Sequence, residues 1–182
     1  MNVAATWGTT EEERTLAFPC DGFVDRVDAA CWRGVTVEAD AATLFRWLCQ
    51  LRVAPYSYDW IDNGGRQSPR ALTPGLERLE VGQRVMRIFD LVAFEPERHL
   101  TLRTRRLATR SWPAVAVSYL LRPDTDGTTR LVAKLAIQAR PGRLGALLTR
   151  ALVIGDFVMM RRQLLNLKAL AEATRAGRAP SP

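Results

Sequence analysis

Residues 113–138 read PAVAVSYLLRPDTDGTTRLVAKLAIQ, and the reading of this stretch decides the fold. Two runs of strand length, 113–122 and 128–138, are rich in β-branched and large apolar residues. Between them, Pro123-Asp124-Thr125-Asp126-Gly127 is made of turn formers. The proline presets φ, the aspartates bond nearby backbone and the glycine accepts a left-handed conformation. Strands joined this closely pair antiparallel, because a parallel pair needs a crossover of a dozen residues or more.

Working outward, two further strands are predicted over 84–94 and 99–107. Glu95-Pro96-Glu97 separates them, and Ser111-Trp112-Pro113 separates the second from 113–122. On the other side Pro141-Gly142 ends the last strand, and the proline-free stretch 144–174 reads as one long helix. Its apolar phase changes at Gly155: Leu144, Leu147, Leu148, Ala151 and Leu152 share one face, whereas Phe157, Met160, Leu164, Leu167 and Ala171 share another. This predicts a kink or break at Gly155. Nearer the N-terminus, Trp32-Arg33-Gly34-Val35-Thr36-Val37 places a strand within 27–38. Asp40 caps a helix over 41–51 with the stripe Leu44, Trp47, Leu48 and Leu51. A second short helix is expected in 56–63, closed by Gly64-Gly65. Residues 1–26 read as a polar arm with the acidic trio Glu11, Glu12 and Glu13, residues 27–176 as one domain, and 177–182 as a disordered tail.

The chain has 182 residues, 47% hydrophobic and 25% charged, which suits one globular domain with a full core. Its formal charge of +7 raises the question of a nucleic-acid partner. Only Lys134 and Lys168 are lysines, however, and the arginines are scattered along the chain. That pattern fits compositional bias better than a binding patch, so no nucleic-acid partner is expected. The odd set Cys20, Cys31 and Cys49, with no basic-then-apolar leader, points to reduced thiols in the cytoplasm. His99 is the only histidine, expected at an exposed strand start. With no histidine cluster or Cys/His spacing, neither a metal nor a cofactor is implied.

The order strand, two short helices, antiparallel strands and long C-terminal helix is the α+β helix-grip arrangement. The chain resembles the START-like, or polyketide cyclase-like, SRPBCC superfamily over about residues 7–172. The match is carried by Trp7-Gly8-Thr9-Thr10 with Glu12, by Tyr56-Ser57-Tyr58-Asp59-Trp60, and by Val81-Gly82. Thr129-Arg130-Leu131 and Asp156-Phe157 with Met159-Met160-Arg161-Arg162 complete it. The arm departs from the resemblance at Pro19-Cys20-Asp21, where Pro-Gly-Asp is common. The resemblance implies a curved antiparallel sheet around the long helix, with a cavity between them for a sterol, lipid, polyketide or similar ligand. Some members cyclise or dehydrate polyketides, and that is the alternative to simple binding.

The candidate ligand contacts begin in the aromatic run, where apolar area and polar tips coexist. Tyr56, Tyr58 and Trp60 cannot all face one way on a helix: either two of them plug the core, or Tyr58 or Trp60 lines an entrance. Asp59 and Asp62 share a helical face, as solvated caps or as a ligand anchor. Arg103 and Arg105 share a strand face, either solvated or bound to a ligand carboxylate or phosphate. Tyr119, Phe157 and Met160 are the candidate apolar wall, and the small face Ala114, Ala116 and Ser118 is expected against the long helix. Asp156 stands among apolar residues and needs an arginine partner, with Arg161 and Arg162 nearest in sequence. As acid/base candidates the sequence offers Tyr58, Asp59 and Asp156. A peripheral membrane contact, with Arg143, Arg150, Arg161 and Arg162 flanking an apolar helix, is the less favoured partner.

Overall fold

In the computed structural model, which describes residues 3–105 and 113–177, the chain runs from two short helices, α1 (Val3–Thr6) and α2 (Glu11–Thr15), into β1 (Ala29–Val37) and α3 (Ala41–Cys49). After α4 (Asp59–Asp62) come β2 (Arg84–Val85), β3 (Phe89–Glu95), β4 (His99–Thr104), β5 (Ala114–Pro123) and β6 (Thr129–Gln138). The helix α5 (Gly142–Arg175) ends the chain's regular structure. The strands form one curved antiparallel sheet in the order β1-β6-β5-β4-β3-β2. The end of the strand expected over 99–107, the turn residues Ser111 and Trp112, and tail residues 178–182 lie outside the described residues.

β5 and β6 pair along their whole length, from Ala114↔Gln138 to Pro123↔Thr129. Alternation then gives the sheet two distinct faces. Val115, Val117, Tyr119 and Leu121 join Leu131, Leu135 and Ile137 in the main core, which also takes in Leu164, Leu167 and Ala171 of α5. Ala116, Val132 and Ala136 belong to a second cluster on the opposite face, closed by Phe18 and Cys20 of the N-terminal arm. The small residues Ala116 and Ser118 therefore receive the arm and not the long helix, as the alternation with Tyr119 requires. Within the arm, Pro19–Phe23 makes a 3-10 turn whose Cys20 amide donates to Ser118 Oγ at 2.9 Å. Cys20 is wholly buried there, so its side chain fills the space between arm and sheet.

A second fastening explains much of the motif pattern. Thr10 caps α2 reciprocally with Glu13: the Glu13 amide donates to Thr10 Oγ1 and the Thr10 amide to Glu13 Oε2. Arg130 of β6 donates to both oxygens of the buried Glu13 carboxylate, at 2.6 and 3.0 Å, and to the Gly8 carbonyl. These bonds hold the Glu13 carboxyl below its usual range. The Gly34 amide donates to the Trp7 carbonyl at 3.0 Å, and Arg161 lies 5.2 Å above the Trp7 ring. Trp7-Gly8-Thr9-Thr10, Arg130 and Arg161 thus converge to fasten the arm across β1.

Four expectations change. The stretch 84–94 is a hairpin and not one strand: Val85 pairs with Phe89, and Met86 and Arg87 turn the chain at φ of 46° and 64°. Left-handed backbone at two residues with side chains costs on the order of 1–3 kcal/mol each. The helix expected over 41–51 ends at Cys49 and continues as a 3-10 turn, Gln50–Arg52. The helix expected over 56–63 shrinks to Asp59–Asp62, since Tyr56 sits at φ 56°. Finally, α5 passes through Gly155 without a break. The face expected from Leu144 to Leu152 is largely uncovered: Leu144, Leu147 and Ala151 are exposed, and Leu148 and Leu152 half-buried.

Gly34 has no room for a side chain, because a Cβ there would stand 2.6 Å from Arg130 Nη2 and 2.8 Å from the Gly8 carbonyl oxygen. Gly34→Ala should cost about 2 kcal/mol through overpacking at the arm, a fall in Tm of roughly 6 °C by thermal denaturation. An unchanged Tm would show that the arm contributes little to stability.

Candidate functional site

A cavity of about 840 Å³ lies between the sheet, α5 and the segments flanking α4. One wall is a single face of α5: Asp156, Met159, Met160 and Gln163, at helical spacing. Val117 and Tyr119 of β5 and Leu135 of β6 form the sheet side. The β2–β3 turn adds Met86, Arg87, Ile88 and Phe89, and the chain after α3 adds Val53, Ala54, Pro55 and Ser57.

Several of the polar groups that line it are tied to one another. Tyr119, which has no exposed surface, donates its hydroxyl to Gln163 Oε1 at 2.7 Å. Gln163 Nε2 donates in turn to the Pro55 carbonyl at 2.6 Å. This chain of bonds ties sheet, helix and loop together across the cavity. Burial pushes the Tyr119 phenol well above its ordinary range, so it acts as a neutral donor. Nearer the opening, Ser57 donates to Asp62 Oδ2, while Asp62 Oδ1 is buried without a partner among the described residues. Burial raises the Asp62 carboxyl.

Asp156 is the charged group on the α5 wall, and its partner is neither Arg161 nor Arg162. Arg33 of β1, 0% exposed, donates from Nη2 to Asp156 Oδ2 at 2.9 Å. It also donates to the Trp32 carbonyl at 2.9 Å and lies 5.5 Å over the Phe157 ring. Arg161 and Arg162 are exposed, five and six positions further along the helix, and Arg161 is turned to Trp7. Burial pushes the Asp156 carboxyl up to about 6, against the opposing pull of Arg33.

Of the expected contacts, Tyr119, Met160, Asp156 and Asp62 line the cavity. Tyr56 is buried elsewhere, edge-on to Trp47 at 6.1 Å, with its carbonyl accepting from Asn166. Trp60 is 76% exposed, and Tyr58 precedes α4 half-buried without lining the cavity. Asp59 is occupied as a loop cap, accepting from the Ser68 amide at 2.8 Å and the Ser68 hydroxyl at 2.5 Å. Arg103 shares the arm-side face of Thr101, so alternation along β4 turns it from the cavity, and Arg105, just past β4, pairs with Asp90 at 3.2 Å; neither lines the cavity. Phe157 packs under Arg33 behind the wall. His99 is half-buried and not exposed, with Nδ1 unpartnered among the described residues, and burial lowers its pKa.

Sequence reading passed over Arg33, Gln163 and the turn Met86–Ile88. For Arg33 a signal exists: it shares an inward strand face with Cys31, Val35 and Val37, and an inward arginine demands a buried acid. Among the described residues no group of three or more His, Cys, Asp or Glu could hold a metal ion, and no helix is long and apolar enough to cross a membrane. Cys20, Cys31 and Cys49 are free and buried.

No protein-family model and no curated protein matches the sequence. Solved structures do match in shape. Protein NE0264 from Nitrosomonas europaea is similar with a TM-score of 0.51 at 12% identity, covering 83% of this chain and 99% of that chain. A protein from Nitrosospira multiformis gives 0.50 at 11% identity, covering 81% and 99%. The di-domain ARO/CYC BexL of the BE-7585A biosynthetic pathway gives 0.50 at 15% identity, covering 81% of this chain and 47% of that one. The fold is a helix-grip fold. At these identities the likeness is one of fold, and the helix-grip cavity has to be judged on its own residues.

Because the folded carboxyl of Asp156 lies above its ordinary value of 3.8, the stability linked to its protonation is complete below that value and is lost as pH rises through about 6. Carbon-13 NMR of the side-chain carboxyls should show Asp156 titrating near 6. Arg33→Met should move the midpoint higher, whereas Arg33→Lys should largely keep it. A midpoint below 4, or one indifferent to Arg33→Met, would contradict the pairing. Urea denaturation should also show the stability of wild type falling relative to Asp156→Asn between about pH 4 and 6.

Proposed function

We propose that this chain is an SRPBCC-type helix-grip protein that binds a hydrophobic small molecule, such as a lipid or polyketide, between its sheet and α5. The cavity carries this reading. Its volume lies within the range typical of ligand sites, roughly 300–1,000 Å³. Val53, Val117, Leu135, Met159 and Met160 give it apolar walls, and Tyr119, Gln163 and Asp156 give it a small polar centre. Three of the four methionines face it, and unbranched thioethers adapt to ligands of irregular shape. A ligand covering roughly 300 Å² of apolar surface gains about 7 kcal/mol. Association costs on the order of 4 kcal/mol or more, so apolar burial supplies the affinity and the polar centre sets orientation. BexL is described as a di-domain ARO/CYC, which is compatible with a polyketide-like ligand here, on the strength of fold alone.

A cyclase or dehydratase reading is the alternative, and one observation favours it. Asp156 presents on the cavity wall a carboxyl that changes protonation near neutral pH, as a general acid or base requires. The cavity would position the substrate, and Asp156 would pass the proton. Tyr58 and Asp59, the other acid/base candidates, are not among the lining residues.

A neutral apolar fluorophore, N-phenyl-1-naphthylamine, tests the binding site. It should bind, and Val117→Trp, which fills the cavity, should weaken it at least about tenfold. Leu144→Ala, on the exposed side of α5, should leave it unchanged. Indifference to Val117→Trp would place the binding site elsewhere. Asp156→Asn, whose amide oxygen can still accept from Arg33, should keep fluorophore binding, and under the enzymatic reading it should abolish turnover of any substrate found.

A further inference from the structure

The cavity opens where its lining residues are themselves exposed, and those residues are Val53, Gly64, Arg66, Arg87 and Ile88. The rim is therefore two branched apolar side chains, a glycine and two arginines, with no exposed carboxylate. Val53 and Ile88 are 48% and 52% exposed, so the apolar interior continues to the edge. Neither guanidinium has a hydrogen bond or ion pair with any described residue. The other arginines of the site are engaged: Arg52 donates to the carbonyls of Leu76 and Arg78 at 3.1 and 3.2 Å, and Arg33 holds Asp156. Arg87 owes its place at the edge to the left-handed turn it shares with Met86.

The carboxylates of the cavity do not cancel this charge. Asp156 is neutralised by Arg33 behind the wall. Asp62, half-buried and bonded to Ser57, offsets one positive charge, and Asp59, bonded to Ser68, does not line the cavity. Two guanidiniums against the single carboxylate of Asp62 leave the mouth positive, in front of walls that include Val117, Leu135, Met159 and Met160. Guanidinium groups match carboxylate and phosphate oxygens in geometry as well as in charge.

We infer that the ligand is an amphiphilic anion, its apolar body in the cavity and its carboxylate or phosphate head at Arg66 and Arg87. This rests on the ligand-binding reading above and narrows it to a chemical class. The apolar body supplies most of the affinity, and the two arginines set which end of the ligand stays outside.

Isothermal titration with decanoate, decyl phosphate and decan-1-ol, which share one tail, tests this on the full chain. At low salt at least one anion should bind wild type about tenfold more tightly than the alcohol, with the advantage shrinking as salt is added. The stronger of the two anions identifies the head as carboxylate or phosphate. Arg66→Ala/Arg87→Ala should erase the advantage and leave decan-1-ol affinity unchanged, and Arg66→Lys/Arg87→Lys should restore part of it. Both side chains are exposed and have no partner among the described residues, so an unchanged Tm is expected for each variant. Equal binding of all three probes by wild type, or an advantage that survives the double alanine variant, would overturn the head assignment while leaving the cavity reading intact. No binding of any probe would overturn both.

Discussion

A guanidinium with no exposed surface, Arg33 on β1, faces a carboxylate on α5, and the placing of the long helix depends on that pair. Neither charge can be buried alone without a penalty of several kcal/mol, so the pair constrains where α5 lies on the sheet and which way it is turned. With Asp156 facing Arg33, helical spacing sends Met159, Met160 and Gln163 to the cavity and Leu164, Leu167 and Ala171 to the core. Arg33 and the core residues hold α5 on the C-terminal side of Gly155, Leu152 and Val153 pack partly on the other, and the helix is unbroken there.

The opposite face of the sheet repeats the device. Lys134 of β6 reaches Asp21 at 2.7 Å and lies over the Phe18 and Trp32 rings, and Arg130 of the same strand grips Glu13. On each face, then, a cation on β1 or β6 takes a carboxylate from the element that covers it. Basic residues that look scattered in sequence include three that clasp the sheet to its two covers.

Legibility followed the range of the interactions. The run 113–138 shows its strands and turn because alternation and turn chemistry are local, and its register then fixed two faces. The hairpin at Met86–Ile88 was hidden, since its left-handed turn carries neither glycine nor asparagine and strand-like residues flank it. The aromatic run signalled the neighbourhood of the cavity, but it is Ser57, and none of the three rings, that lines it. Tyr56 was taken up by Trp47 and Trp60 was left in solvent, which composition alone does not reveal. Asp156 stood out as a charge in apolar company, yet its partner lies 123 residues away, where only the fold brings it near. Gln163 is polar at a helix position that reads as solvated until the cavity is seen.

The cavity of this helix-grip protein is the centre of the functional reading, and methyl NMR tests it most directly. Met86, Met159 and Met160 line the cavity, whereas Leu144 and Leu147 sit exposed on α5. In protein carrying carbon-13 methyl groups on methionine and leucine, titration with a neutral apolar ligand should shift all three cavity methionines together, with one dissociation constant. The methyls of Leu144 and Leu147 should stay in place. Movement of those leucines while Met86, Met159 and Met160 remain unshifted would contradict a ligand site between the sheet and α5.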